Sequence, residues 1–133
     1  EKNEYVSDLN GFVEYESLPG FRLYAEEVIF DNFKNFSETE NSFKNIGKRN
    51  YFAERILSDE AVASKAVETV KNSSKDTCMI VLQDVDRVRF GFGSSGRSQR
   101  IAKSVNIENF GVKTLIVNPT AADSLSGATF LRL

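Results

Sequence analysis

The stretch CMIVLQDVDRVRFGFGSSGR, residues 78–97, is the part of the sequence that decides the predicted fold. It opens with the continuous apolar run Cys78 to Leu82, which is typical of a short strand covered on both faces. A glycine-rich turn and a predicted helix over 97–105 follow, and residues 112–117, VKTLIV, predict another buried strand. Because a strand, a helix and a strand at this spacing favour a crossover connection, we expect a βαβ unit and a parallel sheet.

Two longer helices are predicted on the N-terminal side of this unit. Pro19 and Gly20 open the first, and proline suits the first turn of a helix. The second runs from about Asn50 to Val70. Residues 37–47 between them are rich in Ser, Asn and Glu and predict a loop. The apolar positions that line the two helices are Phe21, Tyr24, Val28, Phe33 and Phe36 in the first, and Phe52, Ile56, Ala63, Val67 and Val70 in the second.

The two ends of the chain carry shorter patterns. Residues 1–18 are expected to form an N-terminal arm, in which Phe12 to Tyr15 alternates like a short edge strand or lies extended. A turn at 118–120 precedes the last candidate strand, Thr129 to Leu131. The predicted organisation is therefore an arm over 1–18 and a single α/β domain over 19–133, with a small, mostly parallel sheet flanked by helices.

The composition excludes several classes of protein. The 133 residues carry a net charge of −2, so the chain lacks the basic surplus of a nucleic-acid binder. No apolar run reaches the roughly 20 residues that cross a bilayer, and we expect no transmembrane segment. Because the sequence starts at Glu1 rather than Met, we expect a processed mature form, an ordered part of a longer protein or an engineered form.

The residue types also limit the chemistry. The chain has no histidine, which removes the commonest metal ligand and the commonest general base. Its single cysteine, Cys78, rules out an internal disulfide and a cysteine-rich zinc site, and its apolar neighbours predict a buried, inert thiol. We therefore expect no metal site and no catalytic residue, and a binding or structural module rather than an enzyme.

The motif Gly91-x-Gly93-x-x-Gly96 has the spacing of a dinucleotide fingerprint, between a predicted strand and a predicted helix. In such a site a pyrophosphate rests on the N-terminus of the helix, which here begins at Arg97. The fingerprint also needs an acidic residue at the end of the next strand, where this chain has Asn118. A tight glycine turn is the favoured interpretation, and a phosphate or nucleotide site at these glycines and Arg97 is the alternative.

Other polar residues each allow a structural and a functional interpretation. Arg55 and Asp59 are four apart on a predicted helix and favour a surface salt bridge. Asp84 and Asp86 follow the first predicted strand, where a turn is favoured over a Mg²⁺ or Ca²⁺ site. The basic residues Arg87, Arg89, Arg97 and Arg100 favour a solvated loop and helix face over a small anion site. The tyrosines, which favour packing with the hydroxyl at the surface over haem ligation, are Tyr5, Tyr15, Tyr24 and Tyr51.

Three segments together resemble the C-terminal half of the haem-binding-uptake ChaN-like proteins, which are grouped with the Tiki and TraB proteins. Residues 51–63, YFAERILSDEAVA, resemble the family's helix with a DExMA-type core. Residues 81–97 resemble its strand and turn of the form GxGHVxYGxGxPxR, and residues 112–118 resemble the strand that follows. Residues 18–33 are similar to a helix in versions from photosynthetic organisms. The resemblance implies a partial ChaN-like α/β domain.

The departures from the family pattern fall on its polar positions. The G-x-x-H motif of the family falls on residues 83–86, with Gln83 in place of glycine and Asp86 in place of histidine. Ser95 replaces the proline of the glycine turn. The family's other G-x-x-H motif lies in an N-terminal half that has no counterpart in this sequence. The resemblance therefore implies a degenerate domain, a pseudoenzyme without the metal-dependent chemistry.

The leading hypothesis is a non-catalytic structural or docking subunit of a larger assembly, with other protein subunits as partners and no cofactor. The likeness to photosynthetic versions implies a plastid location after removal of a targeting segment, at the thylakoid and peripheral to a membrane complex such as a photosystem. One alternative is a haem- or tetrapyrrole-binding protein, with Tyr24 or Tyr51 as the ligand and phenylalanines as the pocket wall. The other is a phosphate- or nucleotide-binding enzyme that uses Gly91, Gly93, Gly96 and Arg97.

Overall fold

A computed structural model of the chain describes residues 9–39, 47–74, 76–121, 123 and 129–131. This part of the chain is predominantly helical, so the predicted α/β fold with a parallel sheet is wrong. The elements in chain order are α1 (Leu9–Glu16), α2 (Pro19–Tyr24), a π-helical turn (Ala25–Ile29), α3 (Phe30–Thr39), α4 (Lys48–Lys71), α5 (Val85–Val88), a 3₁₀ turn (Arg89–Gly91), α6 (Ser94–Ser104), β1 (Leu115–Val117) and β2 (Thr129–Leu131).

The first predicted helix is confirmed as a continuous run of α2, the π-helical turn and α3. Pro19 lies in its first turn, where the missing N–H costs no helical hydrogen bond. The wider π turn shifts the phase of the apolar stripe, so that Ala25 and Ile29 also face the core. The helix continues to Thr39, three residues into the predicted loop, and residues 40–46 of that loop lie outside the described part. The predicted stripe residues with buried side chains are Phe21, Tyr24 and Val28.

The second predicted helix is confirmed as α4, which buries Ile56, Ala63 and Val67 as expected. The same face also buries Arg55 and Asp59, whose Nε and Oδ2 atoms are 3.5 Å apart. The predicted surface salt bridge is therefore a buried one, and Arg87 on α5 pairs with the same carboxylate. Within the described ranges, neither α4 nor any other helix combines the length and the apolar character needed to cross a bilayer.

The core consists of two apolar clusters between helices. In the first, the ring of Phe21 lies 6.0 Å from that of Tyr15, 6.4 Å from Phe52 and 6.3 Å from Phe92, between ring centroids. Such aromatic pairs contribute about 0.5–1.5 kcal/mol each beyond their buried area. The second cluster joins α4 to α6 through Ala63, Val67, Ile101 and Ala102. The apolar faces of the helices thus cover one another.

The predicted βαβ unit is wrong because its first strand is not formed. Residues 77–84 belong to no helix or strand. Of the second predicted strand, residues 112–117, only β1 is a strand. It pairs in parallel with β2, with Leu115 opposite Thr129 and Val117 opposite Leu131. The candidate strand at Thr129–Leu131 is therefore confirmed, whereas of β1 only Ile116 is buried. The described helices pack mainly on one another instead of on a sheet.

The extended conformation predicted for Phe12 to Tyr15 is also wrong, because these residues form α1. Phe12 and Tyr15 are three apart, so one helical turn places both rings on the same face. Their ring centroids lie 5.1 and 5.0 Å from the guanidinium carbon of Arg97. This contact holds α1 against the start of α6.

Candidate functional site

Five arginines and five carboxylates pair with one another around the junction of α4, α6 and the segment 84–91. Their formal charges cancel. The predicted solvated basic face is therefore wrong, since the side chains of its four arginines are at most 18% exposed. Three groups are distinguished by their central residues: the Arg97 group (Glu16, Glu60, Arg97, Arg100), the Asp59 group (Arg55, Asp59, Arg87) and the Asp86 group (Asp86, Arg89, Asp123).

The Arg97 group ties three helices together. Nη1 of Arg97 donates a hydrogen bond of 2.9 Å to Oε2 of Glu60 on α4, and its Nη2 lies 3.7 Å from Oε1 of Glu16 on α1. Glu60 also pairs with Arg100. Burial raises the pKa of Glu16, and the charge of Arg97 opposes this rise. A bound phosphate would lie beside two carboxylates here, so the group does not favour an anionic ligand.

The Asp59 group is the most enclosed of the three. Oδ1 of Asp59 accepts a hydrogen bond of 2.7 Å from Nη1 of Arg87, which also donates 3.1 Å to Oγ of Ser58. Arg55 is the second cation beside this carboxylate. Burial raises the pKa of Asp59, and the charges of Arg55 and Arg87 oppose that rise. The group links α4 to α5, and removing one member of such a buried set costs about 3–5 kcal/mol.

The Asp86 group includes the residue that the sequence resemblance predicts to replace the family histidine. Oδ2 of Asp86 accepts a hydrogen bond of 2.6 Å from Asn32 on α3, and Oδ1 lies 2.6 Å from Nη2 of Arg89. Arg89 lies 3.5 Å from Asp123, whose pKa is lowered by its hydrogen bonds from Thr120. Among the described residues, no three His, Cys, Asp or Glu side chains are grouped to hold a metal ion. Asp86 thus has a structural partner on each oxygen.

The glycine motif forms a tight backbone packing contact. Gly91 and Phe90 both have positive φ, and α6 begins at Ser94, directly after Gly93. A Cβ at Gly93 would overlap the carbonyl oxygen of Arg87, and one at Gly96 would overlap that of Gly91 and the hydroxyl of Tyr15. Gly93 and Gly96 are therefore needed for close approach between backbones, and Gly91 for its positive φ.

The first turn of α6 already has acceptors beside it. Oγ of Ser95 donates 3.3 Å to the carbonyl of Val88, and Oγ of Ser94 donates to Gln83 and, at 3.4 Å, to the carbonyl of Arg87. A pyrophosphate site needs free donors at this point. Here the two serine hydroxyls already donate to carbonyl oxygens, and these oxygens would repel an anion. The contacts therefore favour the interpretation of the motif as a tight glycine turn.

The two tyrosines considered as haem ligands are both packed. The buried hydroxyl of Tyr24 donates 2.8 Å to the carbonyl of Asp86, and burial raises its pKa. The half-buried ring of Tyr51 lies 5.2 Å from that of Phe33, between centroids. Tyr15, in turn, donates 2.8 Å to the carbonyl of Gly91, and burial raises its pKa to about 12. A haem ligand must be an accessible phenolate, and Tyr24 is neither accessible nor easily ionised. Tyr5 lies outside the described residues.

The segment predicted as the first buried strand is instead an exposed apolar run, Cys78–Leu82. Its side chains are 39% exposed at Met79, 81% at Ile80, 42% at Val81 and 90% at Leu82. The thiol of Cys78 is exposed as well, so the prediction of a buried cysteine is wrong. Within the described part of the chain, no hydrogen bond joins the backbone of residues 78–83 to another backbone group. The run is the largest departure of the structure from the sequence pattern.

Comparison of the chain with protein-family models, with curated proteins and with solved structures gave no match. The resemblance to the ChaN-like proteins therefore stays a prediction that rests on the sequence motifs alone. The geometry described above is the remaining basis for a functional conclusion.

The site differs from the one that the sequence singled out. Arg97 belongs to the predicted site and to the observed one. In the structure it pairs with the carboxylates of Glu16 and Glu60, whereas the prediction had it bind a phosphate or nucleotide. Glu60 stands beside Asp59 in the sequence, whereas nothing in the local sequence indicates Glu16. The sequence showed correctly that residues 78–82 are apolar. It wrongly predicted that other parts of the same chain cover them.

Proposed function

We propose that the chain is a non-catalytic structural subunit that docks onto other protein subunits of a larger assembly through the exposed apolar run Cys78–Leu82. The observation that carries this proposal is the exposure of four consecutive large apolar side chains, from Met79 to Leu82. Fully burying one such side chain contributes about 1.5–3 kcal/mol. Contiguous exposed apolar surface typically marks a contact with another protein.

The ionic groups support the non-catalytic part of the proposal. Perturbed carboxylates at an active site usually face a cleft and a substrate. Here the buried, perturbed carboxylate of Asp59 is held by Arg87 and Arg55. The half-buried carboxylate of Asp86 is likewise held by protein groups, Asn32 and Arg89. These contacts connect α3, α4 and α5, so their evident use is to hold the helices that carry the exposed run.

The location of the assembly rests on the sequence resemblance. Residues 18–33 are similar to a helix in ChaN-like versions from photosynthetic organisms, and the family histidine is replaced by Asp86. These features support a pseudoenzyme that serves as a peripheral subunit of a thylakoid complex, of which a photosystem is one kind.

The test is the mass of the native particle that contains the tagged chain in its source cells. We expect a particle far heavier than the 14.9 kDa chain, with other proteins in fixed proportion to it. The Ile80→Asp/Leu82→Asp double variant should be released from the particle. The matched control is Leu57→Asp on α4, a side chain that is 60% exposed and should leave the particle intact. Wild-type chain recovered as a free monomer from a gentle extract would contradict the proposal.

A further inference from the structure

The exposed apolar run alternates in exposure along the chain. Ile80 and Leu82 are almost fully open, whereas Met79 and Val81 are each less than half exposed. A period of two is the pattern of an extended segment, in which successive side chains point to opposite faces. One face of the run therefore rests partly on its own chain and the other is open to a partner.

The backbone of the run has the features of a strand without a neighbour. Among the described residues, no backbone N–H or C=O of residues 78–83 is hydrogen-bonded to another backbone group. The segment 76–90 also contains no proline or glycine, the two residues that disfavour a position within a sheet. Four consecutive apolar residues are typical of a strand that is buried on both faces rather than on one.

From these features, and resting on the proposed function, we infer that residues 79–83 join the edge of a β-sheet in a partner protein as an added strand. The partner's sheet supplies the backbone hydrogen bonds, and an apolar layer of the partner covers Ile80 and Leu82. The less exposed face, Met79 and Val81, stays against this chain. In this mode the backbone contacts give affinity and the alternate side chains give specificity.

A second copy of this chain is a poor partner for the run, because its described sheet, β1–β2, has two strands of only three residues each. Two such runs would form an isolated two-stranded ribbon, which is at best marginally stable in water. The partner must therefore bring a sheet that is already formed.

The first experiment measures amide hydrogen exchange in the full chain, free and within the native particle. We expect the amides of residues 79–83 to exchange freely in the isolated chain and about 100-fold more slowly in the particle. Free exchange of these amides within an intact particle would overturn the strand addition and leave the proposed function standing. A chain that is never found in a particle would overturn both.

The second experiment separates the backbone contribution from that of the side chain. Val81→Pro removes one N–H donor and should release the chain from the particle, whereas the matched control Val81→Thr keeps the shape and the N–H and should remain bound. Retention of Val81→Pro would overturn the inference.

Two other outcomes would assign the run to a different occupant. Protection of residues 79–83 in a particle made only of this chain would assign the run to a second copy and would overturn the inference. Binding of the isolated chain to phosphatidylcholine–phosphatidylglycerol vesicles, abolished by Ile80→Asp/Leu82→Asp, would assign it to a membrane surface and would also overturn the inference.

Discussion

The junction of α4 and α6 and the exposed apolar run Cys78–Leu82 differ in where their groups find partners. At the junction, every arginine that pairs lies beside a carboxylate, and Ala63 and Val67 pack against Ile101 and Ala102. In the run, the apolar side chains are open and the backbone is unpaired within the described residues. The charged groups of the junction pair with one another, whereas the run is the surface that we propose a partner covers. We therefore expect the junction to contribute to the free energy of unfolding of the chain, and the exposed run to contribute little to it.

The largest expected effect comes from breaking the closed region at Arg97. Arg97→Met should lower the free energy of unfolding by about 3–5 kcal/mol, because it leaves Glu16 without a cation and removes the contact that holds α1. The control is Arg22→Met, which removes the exposed pair of Arg22 and Glu26 and should cost about 0–1 kcal/mol. Urea unfolding of both variants measures the difference. Equal small losses would mean that the buried charges do not hold the helices.

A smaller loss is expected when the close backbone contact at the glycine turn is disturbed. Gly96→Ala should cost about 1–3 kcal/mol, because the added methyl group overlaps the carbonyl of Gly91 and the hydroxyl of Tyr15. Gly111→Ala is the matched control and should cost nothing, since no atom of the described residues, its chain neighbours aside, lies within 4 Å of a Cβ at that position. Thermal unfolding gives both values. If Gly96→Ala were as stable as wild type, the packing role of the motif would be wrong and a ligand role would need to be reconsidered.

A still smaller effect is the pH dependence of stability, which has opposite signs at two carboxylates. Burial raises the pKa of Glu16 above its usual 4.5, so the stability that its protonation gives is present at low pH and lost as pH rises through the folded pKa. Hydrogen bonds from Thr120 lower the pKa of Asp123 below 3.8, so its contribution is present at neutral pH and lost as pH falls through the folded pKa.

The measurement is urea unfolding of wild type, Glu16→Gln and Asp123→Asn between neutral pH and about pH 3. As pH falls, wild type should gain stability relative to Glu16→Gln and lose it relative to Asp123→Asn. Two differences that move in the same direction with pH would contradict the assigned environments.

The sequence predicted the long helices because their apolar residues repeat with helical spacing over many turns. It predicted the pairing of Arg55 with Asp59 from their spacing, but not its burial, because burial depends on Arg87, which lies 28 residues away in the chain. The partners of Arg97 depend on tertiary contacts in the same way. The exposed run was assigned to the core because composition cannot tell whether an apolar strand is covered by its own chain or by another. That ambiguity produced the wrong fold class.

The most direct test of this account is the urea unfolding of the isolated chain that carries Ile80→Asp/Leu82→Asp. We expect a free energy of unfolding within about 0.5 kcal/mol of wild type, because neither side chain belongs to the core. Ile101→Ala, at a side chain that is 1% exposed, sets the scale of a core residue and should cost about 2–5 kcal/mol. If the double variant lost as much stability as Ile101→Ala, the run would be part of the chain's own core and the account would be contradicted.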